Sequence, residues 1–297
     1  MTNSSEIMSK LRRIYVAAQN SLGLISDTDY HQWLDVETNY LDQYWRSLAF
    51  STEIRKWSLE HSKRLMGFAD IHKGEDCFII GNGPSLNRMD LSLLQGKYTF
   101  GLNKIYLYTR CDLNLSYHVA INQLVIEQSK REYENLRCPS FLSYRYASSV
   151  IEPLAHIFYI MTNLQEYCFQ PNLLQPIGEG YTVTYAAMQI AYFMGFKRVY
   201  LIGVDHSFSF EGQPNDAQIL HGSDRNHFAS NYFGGMAWHL PDLEGSEAHY
   251  RLAKHFFERN NRKIYDATLD GKLTIFDKIS YSEALNDACN ASGFVWS

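Results

Sequence analysis

Residues 76–86 read DCFIIGNGPSL, an apolar run that ends abruptly in a polar, glycine-rich turn. The run predicts a buried β-strand, and Gly81 and Gly83 permit backbone angles and close contacts that a Cβ atom would prevent. Asn82 adds an amide donor and an amide acceptor, while Pro84 fixes the exit from the turn. Because ligands of open parallel sheets bind at the carboxyl ends of the strands, this turn suits a phosphate or a ribose. The same residues also suit a tight turn in any α/β protein.

Short apolar runs alternate with turns and helical patterns through most of the chain. Strands are predicted near 76–80, 98–101, 115–121, 157–160, 198–204 and 263–266, and helices over 182–194 and 246–260. This alternation is typical of parallel sheets, in which each strand is followed by a crossover helix. The pattern therefore predicts an α/β fold with a Rossmann-like, mostly parallel sheet flanked by helices.

The chain divides into two parts that differ in the spacing of their apolar residues. Residues 1–70 carry apolar side chains at spacings of three and four, which predicts an N-terminal helical extension. Residues 71–297 hold the strand and helix alternation and are predicted to form the nucleotide-binding and catalytic domain. Within them, residues 211–245 are rich in Gly, Asn, His and aromatic residues without periodicity. Long loops of this kind are usually functional, and we interpret this one as a lid.

Composition excludes several classes of protein. With 297 residues, 45% of them hydrophobic, the chain is long enough to bury a full core. A net charge of −5 and the lack of an arginine stripe argue against a nucleic-acid partner. The first residues do not resemble a signal peptide, and no apolar run is long enough to span a membrane, so a cytoplasmic location is expected. Five cysteines without a CxxC pair favour neither a disulfide framework nor structural zinc.

Polar side chains follow several of the predicted strands directly. Asp205 comes after the apolar run that ends at Val204, and Asn103 and Asn122 follow two other runs. Because parallel strands end at one edge of the sheet, we expect these side chains to lie near Asn82. Neutral amides read the donors and acceptors of a base or a sugar without the desolvation penalty of a charge. Helix capping by the aspartate and turn formation by each asparagine are the alternatives.

Two histidines of the 211–245 segment are candidates for a general base. His227 and His239 lie where the segment could fold over the site, and a neutral imidazole accepts a proton from a hydroxyl near pH 7. No HxH or HxxxH pair on a helical frame is present, so no metal ligands are predicted. The P-loop, the dinucleotide GxGxxG fingerprint and the GxSxG nucleophile motif are also absent.

Four segments carry a resemblance to known enzymes: IIGNGPSL (79–86), FGLNKIYL (100–107), HVAIN (118–122) and GFKRVYLIGVDHS (195–207). Together they resemble the bacterial sialyltransferases of glycosyltransferase family 42. They are still more similar to bacterial members of the 6-hydroxymethylpterin diphosphokinase (MptE-like) family. The resemblance covers about residues 70 to 280 and implies a Rossmann-like nucleotide fold, a variant of the GT-A fold.

The sialyltransferase resemblance implies inverting transfer of a CMP-activated acid sugar, a nonulosonate or a Kdo-like sugar, to a glycan or glycolipid acceptor, with no obligatory cofactor. It implies that a lid histidine is the catalytic base, with His239 the nearest match by position and His227 the second candidate. The expected nucleotide and donor contacts are Gly81, Asn82, Gly83, Ser85, Asn103, Asn122, Thr182, Asp205, His206 and Ser207. The tyrosines that hold the leaving phosphate in that family do not recur after Asp205, and Tyr232 is the candidate substitute.

Two further functions stay open. A pterin-type diphosphokinase would need ATP, Mg²⁺ and a carboxylate cluster, for which Asp205, Asp216 and Asp224 are the best candidates. The Asp-rich motifs of archaeal enzymes of that type have no match in this sequence. A non-catalytic nucleotide-binding protein is the third reading, with the N-terminal helices as its partner surface. Those helices could equally contact a membrane surface or a second subunit, and their mixed charge does not decide between these.

Overall fold

The computed structural model of the protein describes residues 48–163 and 168–291, and the side chains from residue 52 onward. Its strands are β1 Asp76–Ile80, β2 Tyr98–Leu102, β3 Tyr117–Ala120, β4 Ser140–Ser143, β5 Ile157–Ile160, β6 Thr162–Asn163, β7 Ile177–Gly178, β8 Arg198–Ile202, β9 Ala217–Ile219, β10 Ala237–His239, β11 Lys263–Asp266 and β12 Asp277–Lys278. Eight of these form one sheet in the order β12-β11-β8-β1-β2-β3-β4-β5, and all of its pairs are parallel. The α/β, Rossmann-like fold predicted from the sequence is therefore confirmed.

Helices cover the sheet and connect its strands. The α-helices are Leu48–Trp57, Lys63–Leu65, Gln123–Gln128, Lys130–Glu134, Tyr144–Ala147, Val183–Phe193, Leu243–Arg259 and Tyr281–Asp287, with a π-helical turn at Ser58–Ser62 and 3₁₀ turns at Met66–Phe68, Pro84–Arg88, Leu91–Leu94 and Ile105–Leu107. The helix Val183–Phe193 packs against β1, β2 and β3, and the helix Leu243–Arg259 packs against it in turn. All residues from 184 to 191 are consequently buried.

The position of β1 in the sheet determines where a ligand can bind. From β1 the chain builds outward through β2, β3 and β4 to β5, and then returns to add β8 on the other side of β1. The strand order therefore reverses between β1 and β8. In open parallel sheets the crevice at such a reversal, beyond the carboxyl ends of the strands, is the usual ligand site.

Most of the predicted strands and helices occur with small changes of boundary. The strand expected over 198–204 ends at Ile202, because Gly203 turns the chain with a φ of +66°. The helix expected from residue 182 begins at Val183 with Thr182 as its N-cap, and the one expected from residue 246 begins earlier, at Leu243. The predicted lid contains β9 and β10, which pair in antiparallel fashion.

The helical segment from residue 48 to residue 68 lies against β5, the strand at one edge of the sheet. Trp57 Nε1 donates a hydrogen bond to the carbonyl of Tyr159 at 2.8 Å. Arg64 donates to the carbonyls of Ile157 and Ala155 at 2.9 and 2.5 Å. Side chains thus satisfy carbonyl groups at this edge. The rest of the predicted N-terminal extension, residues 1–47, lies outside the described residues, and the domain boundary near residue 70 stays a prediction.

Candidate functional site

A cavity of about 860 Å³ opens at the carboxyl ends of β1, β2, β3 and β8. The segment from residue 206 to residue 242 and the start of the helix Leu243–Arg259 form its other wall. Of the predicted site residues, those that line this cavity are Gly81, Asn82, Gly83, Asn103, Asn122, Thr182, Asp205, His206, Ser207, His227 and His239. Ser85 and Tyr232 are not among the lining residues.

The glycine turn after β1 lies directly against the turn after β8. The backbone N–H groups of Gly81 and Gly83 donate to the carbonyls of Ile202 and Gly203, each at 2.8 Å. A Cβ atom at position 81 would lie 2.3 Å from the carbonyl oxygen of Gly203, and one at position 83 would lie 1.9 Å from Asp205 Oδ2. Only glycine fits at either position.

Asp205 joins the two turns through Ser85. Its Oδ1 accepts from the Ser85 backbone N–H at 3.0 Å, and its Oδ2 accepts from the Ser85 hydroxyl at 2.6 Å. Burial raises the pKa of Asp205 above its ordinary value, against the two hydrogen bonds from Ser85. Ser85 therefore fixes the turn, and its prediction as a nucleotide contact does not match this geometry.

Asn82 and Asn103 each carry a buried amide oxygen that lacks a partner. The Oδ1 atoms of both residues are shielded from water and have no hydrogen bond among the described residues, although both side chains line the cavity. The amide group of Asn103 also lies beside the buried hydroxyl of Tyr232. An unmatched buried acceptor costs about 1–3 kcal/mol. A donor on a ligand removes that cost when the amide turns toward it, so the two amides mark the part of the cavity that suits a hydrogen-bond donor.

A buried histidine holds Asn103 in its unusual backbone conformation, with a φ of +47°. His118 Nε2 donates to the carbonyl of Asn103 at 2.8 Å, and the Ser140 hydroxyl lies 2.7 Å from His118 Nδ1. Burial lowers the pKa of His118 to about 4, so the ring is neutral and Nδ1 accepts from Ser140. Nothing in the sequence distinguished this histidine, since its role depends on the neighbouring strand β4, which was not predicted.

His239 is oriented by Asn122. The Asn122 Oδ1 accepts from the Val125 N–H at 3.2 Å and so caps the helix Gln123–Gln128. The amide nitrogen must then face the other way, and it lies 3.1 Å from His239 Nδ1. It donates to that nitrogen, so neutral His239 carries its proton on Nε2.

Neutral His227 carries its proton on the other ring nitrogen, Nδ1. Its Nδ1 lies 2.9 Å from Oδ2 of Asp224, a carboxylate that is 5% exposed. Burial would raise the pKa of Asp224, but the hydrogen bonds from His227 and from the backbone N–H groups of Asn226 and Phe233 hold it below its ordinary value. The ionised carboxylate accepts the Nδ1 proton, so neutral His227 keeps its lone pair on Nε2.

Tyr232 supports His227 and does not reach the cavity. Its ring stacks on the imidazole at 4.0 Å between centroids with planes 5° apart, and its hydroxyl accepts from the Lys104 backbone N–H at 3.2 Å. The prediction that Tyr232 contacts the nucleotide phosphate therefore does not match this geometry, because the hydroxyl is buried against the turn after β2.

Buried polar contacts attach the covering segment to the sheet. Lys104 Nζ donates to the carbonyl of Tyr232 at 2.9 Å and to Gln128 Oε1 at 2.8 Å. Gln128 in turn donates to the carbonyl of Ala237 at 2.7 Å, and the Phe228 N–H donates to the carbonyl of Asn82 at 2.9 Å. The segment predicted as a lid is thus fastened at several points to the turns that form the cavity.

The remaining predicted contacts lie at the cavity wall formed by the two long helices. Thr182 caps the helix Val183–Phe193 by accepting from the Thr184 N–H at 3.3 Å, so the amino end of this helix faces the cavity. His206 Nε2 lies 3.0 Å from Glu247 Oε1, and Ser207 is exposed. Sequence reasoning did not single out Glu179, which lines the same wall and is 6% exposed.

The three aspartates suggested for a diphosphokinase do not converge. Asp205 lines the cavity, whereas Asp224 is bound to His227 behind it and Asp216 lies outside its lining. Among residues 48–163 and 168–291, no group of three or more His, Cys, Asp or Glu side chains is placed to hold a metal ion.

Comparison of the chain with models of protein families, with curated proteins and with solved structures found no match. Within the part of the chain that the structure describes, no helix combines the length and the apolar character needed to cross a bilayer.

Proposed function

We propose that the protein is an inverting glycosyltransferase that uses a CMP-activated acid sugar. The observation that carries the proposal is that His227, paired with Asp224, lines the same cavity as Asn82 and Asn103, whose amide oxygens are unmatched. The asparagines suit a nucleotide, and the paired histidine suits the removal of a proton from a hydroxyl. A transferase that moves a sugar from a nucleotide to an alcohol needs both.

The nucleotide is assigned to the wall formed by the turns after β1 and β2. The cytosine amino group and the ribose hydroxyls are donors, and amide oxygens accept from them without adding a charge. The glycines at positions 81 and 83 let this turn pack directly on the turn after β8, so that both turns line the cavity. The amino end of the helix Val183–Phe193 supplies the favourable field for a phosphate or a carboxylate.

His227 is assigned the role of catalytic base. The Asp224 carboxylate holds the Nδ1 proton in place and stabilises the imidazolium that forms when Nε2 takes a second proton. The acceptor hydroxyl gives its proton to Nε2, and its oxygen forms the new bond to the anomeric carbon. The bond between that carbon and the phosphate oxygen breaks, and CMP leaves with the electron pair.

His239 is assigned to the leaving group. The Asn122 amide occupies Nδ1, so the ring can present only an Nε2–H donor in its neutral form. Such a donor stabilises the negative charge that develops on the departing phosphate. This assigns to His239 the task that tyrosines perform in the sialyltransferases, and it makes His227, the second candidate for the base, the base in place of His239.

The first test is the thermal stability of the protein with CMP, CDP, UDP, ADP and ATP, each with and without Mg²⁺. A ligand that binds only the folded state stabilises it, by about 2.7 kcal/mol at a hundred times its Kd. We expect CMP to raise the Tm without metal, and Asn82→Ala and Asn103→Ala to abolish the shift. Asn114→Ala, at an exposed asparagine outside the cavity, is the matched control. Stabilisation by ATP only with Mg²⁺ would instead support the diphosphokinase.

A further inference from the structure

Three residues of the cavity lining have no role in the proposed binding of the nucleotide. Glu179, Tyr146 and Tyr181 all line the cavity. Glu179 and Tyr181 come just before Thr182, the N-cap of the helix Val183–Phe193, and the Tyr181 ring packs edge-on against His249. Tyr181 is 39% exposed, whereas Glu179 is almost wholly buried. The Glu179 carboxyl lies near enough to Tyr146 to help raise the pKa of its hydroxyl, after the larger effect of burial. The three residues, called here the Glu179 cluster, thus combine two aromatic rings with one carboxyl group.

Among the described residues, only one oxygen of the Glu179 carboxyl group has a hydrogen-bond partner. Its Oε1 accepts from the Thr162 hydroxyl at 2.7 Å, and Thr162 is itself 2.7 Å from the Ser143 hydroxyl. Its Oε2 has no hydrogen-bond partner among the described residues, and no described cation forms an ion pair with it. The charge of Arg145 attracts the Glu179 carboxylate, but the ion pair that Arg145 forms is with Glu53, at 3.5 Å. A ligand group is therefore the natural partner for Oε2.

The chemistry of this group selects the kind of ligand. A buried carboxyl without a counter-ion repels a carboxylate or a phosphate, whereas a hydroxyl can donate to it. Burial raises the pKa of Glu179 to about 7, so near neutral pH the group can also donate a hydrogen bond to a hydroxyl. The rings of Tyr146 and Tyr181 add apolar surface of the kind that packs on the carbon faces of a sugar.

We infer that the Glu179 cluster is a subsite for a neutral, hydroxyl-bearing sugar unit, and that Glu179 Oε2 contacts one of its hydroxyls. The binding of this sugar unit does not depend on the proposed function. Only its role as the acceptor of the transferred sugar rests on the proposed function. The cluster disfavours an acidic sugar, so an acid-sugar donor must place its carboxylate in another part of the cavity, away from Glu179.

The test uses two probes that differ in one group, methyl β-glucoside and methyl β-glucuronide, whose binding is measured by saturation-transfer NMR titration. We expect the full-length protein to bind the neutral glycoside at least tenfold more tightly than the anion. Glu179→Gln keeps the size of the side chain and removes its charge, so the preference should fall at least fivefold. Glu152→Gln, at an exposed glutamate outside the cavity, should leave the preference unchanged.

A second variant, Tyr181→Ala, tests the inference if Glu179→Gln does not fold. Tyr181→Ala removes a partly exposed ring, and it should weaken binding of the neutral glycoside severalfold without altering the Tm shift caused by CMP. An equal preference for the two glycosides, or an unchanged preference in Glu179→Gln, would overturn the inference. A protein that discriminates the glycosides but does not bind CMP would keep the subsite and overturn the proposed function.

Discussion

At the scale of the residue, the two histidines of the cavity differ in the nitrogen that carries the proton. Asp224 accepts the Nδ1 proton of His227, and the Asn122 amide donates to Nδ1 of His239. Backbone N–H donors hold Asp224 in place beside His227. The helix cap that Asn122 provides holds its amide in place beside His239. A proton acceptor and a proton donor are thus presented by the same residue type.

We predict that Asp224→Asn lowers turnover by about two to four orders of magnitude, because the amide can hold the wrong tautomer of His227. Nucleotide affinity should stay near that of the wild type. The measurement is the rate of CMP release from CMP-activated acid sugars in the presence of glycan acceptors, together with the CMP-induced Tm shift. Asp216→Asn, at an exposed aspartate outside the cavity lining, is the control. Unchanged turnover in Asp224→Asn would remove His227 from the role of base.

The buried carboxyl of Glu179 should make the stability of the protein depend on pH. Burial raises its pKa from about 4.5 to about 7, so between these values the folded state binds more protons than the unfolded state. Stability therefore falls as the pH rises through this window, by up to about 3 kcal/mol. We predict that Glu179→Gln gains stability relative to the wild type between pH 5 and pH 8, as measured by urea unfolding. If the difference in the free energy of unfolding between Glu179→Gln and the wild type were the same at pH 5 and pH 8, burial would not raise the pKa of Glu179.

The sequence predicted the polar residues at the strand ends well, because an apolar run that stops at Asn or Asp is a local signal. It did not distinguish His118 or Glu179, whose properties come from burial among residues distant in the chain. Ser85 looked like a ligand contact because it lies in the glycine turn, but its hydroxyl is bound to Asp205. Such pairings between distant segments leave no local pattern.

At the scale of the element, the glycine turn joins two neighbouring strands at their ends. We predict that Gly83→Ala destabilises the protein by about 2–3 kcal/mol, because its Cβ would overlap the Asp205 carboxylate. It should also abolish the CMP-induced Tm shift. Gly67→Ala is the matched control, since a Cβ at that position meets no atom within 4 Å. Equal stability of the two variants in urea unfolding would show that the turn tolerates a side chain.

The covering segment depends on a buried lysine for its attachment. Lys104→Met keeps the apolar stem but removes the ammonium donor, which leaves the carbonyl of Tyr232 and the side chain of Gln128 without their partner. We predict about tenfold faster cleavage by trypsin after Arg225, the sole Arg or Lys between residues 206 and 242, because losing such contacts costs about 1–2 kcal/mol.

Lys130→Met is the control for this experiment, since that lysine is exposed and makes only a 3.8 Å ion pair with Glu134. Unchanged cleavage in Lys104→Met would mean that the remaining contacts hold the segment by themselves.

Elements with a strong pattern were predictable and short ones were not. The buried strand β1 was predicted with its observed bounds, as was β5. The strand β4 was missed because Ser140–Ser143 places serine at both ends of two apolar residues, and β12 has only two residues, both polar. The lid was predicted as a loop, whereas its β9 and β10 strands pair across a long connection.

At the scale of the whole molecule, the helical segment before β1 closes one edge of the sheet. We predict that Trp57→Phe, which keeps a large ring and removes only the N–H donor, costs about 1–2 kcal/mol by leaving the Tyr159 carbonyl unmatched. Urea unfolding of the full chain measures this. A loss below 0.5 kcal/mol, taken as about half the smallest expected cost, would show that the carbonyl finds another partner.

The order of strands could not be predicted from the sequence. Asp76 and Arg198 are partners across β1 and β8 and are also joined by hydrogen bonds, yet they lie 122 residues apart. An unbroken apolar run indicates that a strand is buried on both faces, but it carries no information about which strand lies beside it.

That separation has a consequence for the growing chain on the ribosome. The strands β1 to β5 can pair as they emerge, because each neighbour follows the last in sequence. One flank of β1 nevertheless stays open until β8 is synthesised, and long-range pairing of this kind slows folding. The cavity lacks its Gly203 and Asp205 wall during all of that time. We expect nascent chains that end before residue 198 to hold β1 to β5 with one flank of β1 unpaired, and so to need protection from self-association until β8 has been made.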